Sequence, residues 1–224
     1  MKNANYSKEH ILYLKKKRRY KIIINVVRVG LLIAILGIWE LLADLKVIDS
    51  FITSSPSRVA KTLADLYANG TLFKHIGITL METMVGFVIA VVLGYTIAVL
   101  LYMSDAAHKV LEPYIVVLNS LPKIALGPLI IIWMGTGYPS IIFMTVVVAI
   151  IVCIMNTLTG FLSVDKTMLT LMQAMGAKKR DILFKLIIPA SVPSLINTLK
   201  VAVGLAWIGS VMGEYVSSRA GLGY

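Results

Sequence analysis

Glu40, Glu82, Lys123, Lys200 and Glu214 are charged side chains that fall inside long, largely apolar stretches. A charge held away from water is expensive, so these positions are where chemistry is first sought: proton or cation binding at the acids, anion binding at the lysines. Glu40, Lys200 and Glu214 stand near the ends of their stretches, where snorkelling or water relieves them. Lys123 follows Pro122, and a proline-interrupted helix leaves backbone groups free to line a cavity. Lys123 therefore either faces a pathway, where it suits an anionic solute, or snorkels toward the nearer surface. Lys123 and Lys200 are the prospective partners of Glu82. The candidate pathway residues are Pro122, Lys123, Glu82 and Glu214.

Other chemistries lack their residues. There is no G-x-x-x-x-G-K-[ST] phosphate loop and no Gly-Lys pair, so the chain is not expected to bind or hydrolyse ATP. Cys153 is the only cysteine and sits in an apolar run, where it reads as core filler. His10, His75 and His108 lie on separate segments without clustered acids, so neither a metal site nor a Ser-His-Asp constellation is expected. No catalytic residue and no bound cofactor are assigned.

The elements that must position the charges are helical. Hydrophobic residues make up 58% of the chain and charged ones 15%, with a mean hydropathy of +0.85, far outside the soluble range. Between Lys123 and Asp165 no residue is charged. That run of about 40 residues supports roughly two crossings of a bilayer, turning at Gly135-Thr136-Gly137-Tyr138-Pro139. Spans are expected at 23–42, 76–102, 114–134, 140–161 and 195–215. Backbone groups in lipid must bond within their own segment, and the runs are too long for barrel strands, so the fold class is all-α: a polytopic transmembrane helix bundle. The chain divides into a basic segment 1–22, a first span 23–45, an external segment 46–75, and a core 76–224 with a loop at 162–190. The first span exceeds a usual signal-peptide core and lacks a small-residue cleavage site, so it is expected to remain as an anchor.

The net charge of +11 is distributed by side. Lysines and arginines crowd the segment before the first span and the 162–190 loop, whereas the Gly135 turn has none and the 46–75 segment mixes signs. The positive-inside rule puts the N-terminus and that loop in the cytoplasm. The excess is a topology signal and a contact for anionic lipid, and nucleic acid is not an expected partner.

The 162–190 loop is itself patterned. Leu171, Met172, Met175, Ile182, Leu183 and Leu186 recur at helical spacing, with Lys178, Lys179, Arg180 and Lys185 facing water. Gly176 breaks the pattern, and Pro189 and Pro193 follow, each biasing the preceding residue away from helix. The expected layout is a short helix, a glycine turn and a second helix. Such a loop either lies on the membrane with snorkelling lysines or docks on a partner. A glycine needed for a positive φ or a close approach is harmed by alanine, so Gly176→Ala is expected to do damage.

Gly176, nine further residues and Leu186-Ile187-Ile188-Pro189 resemble the glycine, spacer and I-x-L-P ending of the EAA loop in permease subunits of ATP-binding cassette importers. Thr170, Leu171 and Met172 stand where that family usually has Glu-Ala-Ala, so its acidic residue is missing. The resemblance continues through Ser54-Ser55-Pro56-Ser57-Arg58, Leu121-Pro122-Lys123, Trp133-Met134-Gly135, Asn156-Thr157, Ala206-Trp207, Glu214 and Gly221-Leu222-Gly223. It is to the nitrate, sulfonate, taurine and bicarbonate importers, a group that includes carriers of vitamin precursors. Glu82 stands where those proteins often carry a basic residue.

The resemblance implies a type I importer permease of the bacterial inner membrane, carrying a small solute such as a sulfonate or nitrate. It implies a separate ATPase that uses the ATP, an extracytoplasmic substrate-binding protein, and a second permease copy, as a homodimer. It implies coupling through Leu171, Met172, Ala174, Met175, Gly176 and Ala177, with Pro189 fixing the exit. In that family a further helix follows the G-L-G stretch, so one is expected beyond Tyr224. The alternative class is a secondary transporter or channel in which Glu82 or Glu214 binds protons or sodium without an ATPase.

Overall fold

A computed structural model describes residues 8–47, 53–217 and 220–224. Parts of the basic N-terminal segment and of the expected external segment, and Arg219, lie outside the described residues. The chain forms two compact units, Met1–Thr71 and Leu72–Tyr224.

In the first unit, α1 (Lys8–Asp44) is one 37-residue helix, so the expected span continues helically through the basic run before it. Its apolar side chains stay open: Val26, Val27, Leu32 and Ile33 are each more than half exposed, as suits lipid contact. The short helix α2 (Pro56–Ala68) follows, with Pro56 at its start and Ser55 as the N-cap. Glu40 is not stranded in apolar surroundings. Its carboxylate accepts the Ser57 hydroxyl at 2.6 Å and the Ser57 N–H at 3.0 Å, tying α1 to the start of α2.

The second unit is built on α3 (Leu72–Met103), α6 (Tyr138–Leu162) and α9 (Ile188–Ser217), with α6 between the other two. In α3 the buried stripe is Gly86, Ala90, Gly94 and Ala98, one small residue per turn. Lipid supplies no hydrophobic drive between helices, so close backbone approach across small residues has to hold them. Gly209 of α9 shows how close: a Cβ there would lie 2.7 Å from the Thr145 Cα of α6. At one end of the bundle Phe161, Ile182, Leu183 and Ile187 close an apolar core, with Tyr95 and Tyr102 edge-on to Phe161 at 5.9 and 5.8 Å.

The interruption expected at Pro122 is present, and the one expected at Pro189 and Pro193 is corrected. The span expected at 114–134 is not one helix: α4 (Asp105–Ser120) and α5 (Gly127–Met134) meet at 85° across a 3-10 turn at Lys123–Leu126. Leu121 is extended, as a residue before proline prefers to be, and Pro122 has no N–H to continue the ladder. Pro189 and Pro193, in contrast, do not interrupt: Ile188 is helical and both prolines lie within α9. The chain passes from α8 (Lys179–Ile182) through a wide π turn at Leu183–Ile187 directly into α9. In that turn the Ile188 N–H bonds Leu183 O, and Pro189 arrives in the first turn of α9, where a missing N–H costs least. The expected second loop helix is therefore the beginning of the last long helix.

Candidate functional site

Polar side chains gather at the end of the bundle opposite the Phe161 core. On α3, Thr79, Glu82 and Thr83 are buried at i, i+3 and i+4; on α9, Ser210, Glu214 and Ser217 are buried at i, i+4 and i+7. The two stripes face one another. The Thr83 and Ser210 hydroxyls are hydrogen bonded, and the Thr79 hydroxyl donates to Glu214 Oε1 at 2.6 Å. Glu214 Oε2 accepts the Gly223 N–H at 2.7 Å, Thr79 Oγ1 accepts the Leu222 N–H at 2.8 Å, and His75 Nδ1 accepts the Gly221 N–H at 2.9 Å. For Nδ1 to accept, the ring proton must sit on Nε2. The stretch 221–223 is thus clasped along its backbone by three side chains.

Glu82 differs from all of these. It is 0% exposed, no hydroxyl or N–H of the described residues reaches its carboxylate oxygens, and its side-chain hydrogen-bond partner is the Glu214 carboxyl. The ionisable group beside it is Glu214. Glu82 borders a pocket: a cavity of about 370 Å³ is lined by Glu82, Thr136, Tyr138, Ile141, Ser217 and Ala220. The expected pairing of Glu82 with Lys123 or Lys200 is overturned. Lys123 lies at the α4–α5 bend with its Nζ on Asn119 O at 2.9 Å, and Lys200 is exposed on α9. The view of Glu214 as relieved by water is overturned as well, since it is 1% exposed. The four pathway candidates thus separate, Glu82 at the pocket with Glu214 beside it, and Pro122 and Lys123 at the bend.

Thr79, Thr83, Ser210 and Ser217 were not singled out for function by the sequence. Their placement on one helical face with an acid, at i, i+3, i+4 in one apolar helix and i, i+4, i+7 in the other, was the available signal.

At the other end the loop has a defined geometry. Asp165 caps α7 (Lys166–Ala174), and the Thr167 N–H it accepts at 2.8 Å holds its carboxyl below the usual carboxylate range. The helix ends as a Schellman motif: Gly176 N–H to Gln173 O at 2.9 Å and Ala177 N–H to Met172 O at 3.0 Å, with Gly176 at φ +79°. Leu171, Ala174, Met175 and Gly176 are exposed, Leu171 by 56% and Met175 by 76%, whereas Met172 and Ala177 pack toward Ile182 and Leu183. Pro189 is exposed beyond the π turn. Lys179 Nζ bridges to Asp105 at 3.1 Å, joining the loop to the start of α4.

A Cβ at Gly176 would meet nothing within 4 Å, so strain there is conformational and not steric. Gly176→Ala is expected to cost about 1 kcal/mol, and Gly176→Asn less, because asparagine tolerates the left-handed region. Thermal unfolding of the purified chain would check the order Gly, Asn, Ala.

A bundle of long apolar helices with buried polar side chains beside a pocket at one end and a capped, basic loop at the other is the architecture of a membrane transport subunit. The comparisons with known proteins make this specific. Residues 86–224 match the family described as binding-protein-dependent transport system inner membrane component, and the chain belongs to it. It is 30% identical to the formylaminopyrimidine transport permease protein ThiX of Halalkalibacterium halodurans, over 84% of this chain and 74% of that one. It is 26% identical to the taurine transport system permease protein TauC of Escherichia coli, over 88% and 73%. Its fold matches a chain of the inward-facing MetNI methionine ABC transporter with a TM-score of 0.60 at 23% identity, covering 68% of this chain and 76% of that one.

The protein is therefore a permease subunit of an ATP-binding cassette importer, a non-catalytic multi-pass component of the inner membrane. Membership implies an ATPase partner and a substrate-binding protein. The ATP-independent secondary transporter or channel does not fit this family.

Proposed function

We propose that two copies of this chain form the pathway for a small organic solute, and that each copy seats Leu171, Ala174, Met175 and Gly176 in a groove of its cytoplasmic ATPase. The observation that carries this is the exposed apolar tip of α7, closed by Gly176 and flanked by Lys178, Lys179 and Arg180. A helix lying on lipid would present one continuous apolar face, whereas here the apolar residues divide between an outward tip and an inward anchor. ATP is used by the partner, and this chain supplies no nucleotide or metal ligand to it. The basic loop and the N-terminus lie in the cytoplasm, and the polar pocket lies at the outer end, where the binding protein delivers cargo.

The relatives named for taurine and formylaminopyrimidine carry small polar solutes. For this chain the cargo is of the same size class, with a sulfonate as the leading anionic group.

Affinity capture of the tagged chain from gently solubilised membranes, with nucleotide trapping, is expected to recover a phosphate-loop ATPase. Solute uptake is expected to stop when that ATPase is depleted and to survive collapse of the proton gradient. Recovery without any ATPase, or uptake that follows the proton gradient, would overturn the coupling.

A further inference from the structure

We propose that α2 (Pro56–Ala68) is an interfacial helix that lies in the headgroup region of the bilayer, its apolar face turned into the acyl chains beside the end of α1. Val59, Leu63, Leu66 and Tyr67 follow one another at steps of four, three and one, which sets them on one side of the helix. Arg58, Lys61, Thr62 and Asp65 take the other side. No residue within α2 is buried, and on its apolar face Leu63 is 49% exposed and Tyr67 66%. At 13 residues the helix is about 20 Å long, too short to cross a ~30 Å hydrocarbon core, so it enters lipid only by lying flat.

Its tie to α1 sets the depth. Glu40 stands one turn before the end of α1, and its carboxylate accepts the Ser57 hydroxyl at 2.6 Å, the Ser57 N–H at 3.0 Å and the Ser55 hydroxyl at 3.3 Å. The first turn of α2 is therefore held level with the last turn of α1. That level is the membrane surface. Between Val29 and Trp39 α1 carries no charge, and then Glu40 and Asp44 appear, with Lys46 just beyond, where the helix leaves the hydrocarbon. Ile38, Leu41 and Leu45, on either side of the tie, are each more than half exposed, so the lipid-facing surface of the span runs up to the start of α2.

The composition of α2 suits lipid on one side and water on the other. The Tyr67 ring is apolar with a polar tip, as residues at the headgroup level are. Arg58 and Lys61 against Asp65 leave the polar face only weakly basic, so burial of the apolar side chains supplies the binding and anionic lipid is not required.

The test uses the full chain reconstituted in phosphatidylcholine vesicles, with Cys153→Ala removing the native thiol. Single cysteines are placed in turn from Val59 to Ala68 and given a nitroxide label. Collision of each label with oxygen, which concentrates in lipid, is compared with collision with a water-soluble nickel chelate. The ratio is expected to rise and fall with a period of about 3.6 residues, favouring oxygen at Val59, Leu63, Leu66 and Tyr67 and nickel at Lys61 and Asp65. Calibrated against lipids labelled at known depths, Leu63 should read about 5–10 Å into the boundary between headgroups and acyl chains.

A ratio without that period, nickel being favoured all round, would leave α2 in water as a surface for a soluble protein and overturn the proposal. Shielding of Val59, Leu63 and Tyr67 from both reagents would mean that protein covers the face, and would overturn it as well. Every position is read, so one misfolded variant does not hide the period. Neither uptake nor ATPase capture enters these readouts, so the placement of α2 stands or falls apart from the coupling at α7.

Discussion

Gly209→Leu is expected to abolish accumulation of the folded bundle, while Gly204→Leu, five residues earlier on the same helix, leaves it intact. The difference lies in what a side chain would meet. At Gly209 even a Cβ would stand 2.7 Å from the Thr145 Cα and 3.4 Å from the Met144 carbonyl oxygen, both of them backbone atoms that no rotamer change can move. At Gly204 nothing lies within 4 Å. Alanine separates the two effects more gently. Gly→Ala in a helix interior gains up to about 1 kcal/mol from propensity, and at Gly204 that gain should stand unopposed. At Gly209 overpacking of about 1–3 kcal/mol opposes it, more where the neighbour is rigid, so the net sign reverses. Monodispersity and thermal midpoint of the detergent-purified variants would decide. A Gly209→Leu protein as stable as Gly204→Leu would mean that α6 and α9 do not approach as described.

The second large effect is expected at the loop. Leu171→Asp combined with Met175→Asp should lower ATPase capture at least 100-fold while leaving the thermal midpoint of the permease unchanged. Both side chains are mostly exposed, so the fold gives up little with them. Seated in a partner's groove, each would be an apolar anchor worth about 2 kcal/mol, and an aspartate there adds the cost of burying an unpaired charge. Two such losses exceed the roughly 2.7 kcal/mol that corresponds to a factor of 100. Met172→Asp should behave differently, lowering the midpoint, because Met172 faces the core around Ile182 and Leu183. Undiminished capture by the double variant would move the docking surface away from α7.

The spans were legible because the length of an apolar run is set by the bilayer and not by tertiary contacts. The proline positions were legible only in part. Pro122 follows an extended Leu121 and breaks its span, as local preference dictates. Pro189 escapes that preference because the π turn before it changes which carbonyl meets which N–H, a property of five residues together and not of one dipeptide. The loop was well anticipated at Gly176, since a left-handed helix end has a residue signature.

The pocket was anticipated by its members and not by its arrangement. Glu82 and Glu214 stood out as charges in apolar runs, but electrostatic reasoning along the sequence sought lysines for them. Placing two acids side by side needs α3 and α9 both to seat against Thr145 of α6, which depends on Gly86 and Gly209, small residues that carry no chemical signal of their own.

The unbroken passage from α8 into α9 has a mechanical consequence. Lys179–Ser217 is one helical path of 39 residues, roughly 58 Å at 1.5 Å per residue. Of the glycines along this path, Gly209 approaches a neighbour most closely, against Thr145, and as a fulcrum it is placed far off centre: about 45 Å of helix lies toward Lys179 and only about 7 Å toward Glu214. Rocking about that point would gear motion down roughly sixfold. A swing of several ångströms at the ATPase side becomes about one ångström at Glu214, the scale on which a hydrogen bond from Thr79 or Gly223 is made or broken. The same gearing multiplies force in the direction of the pocket.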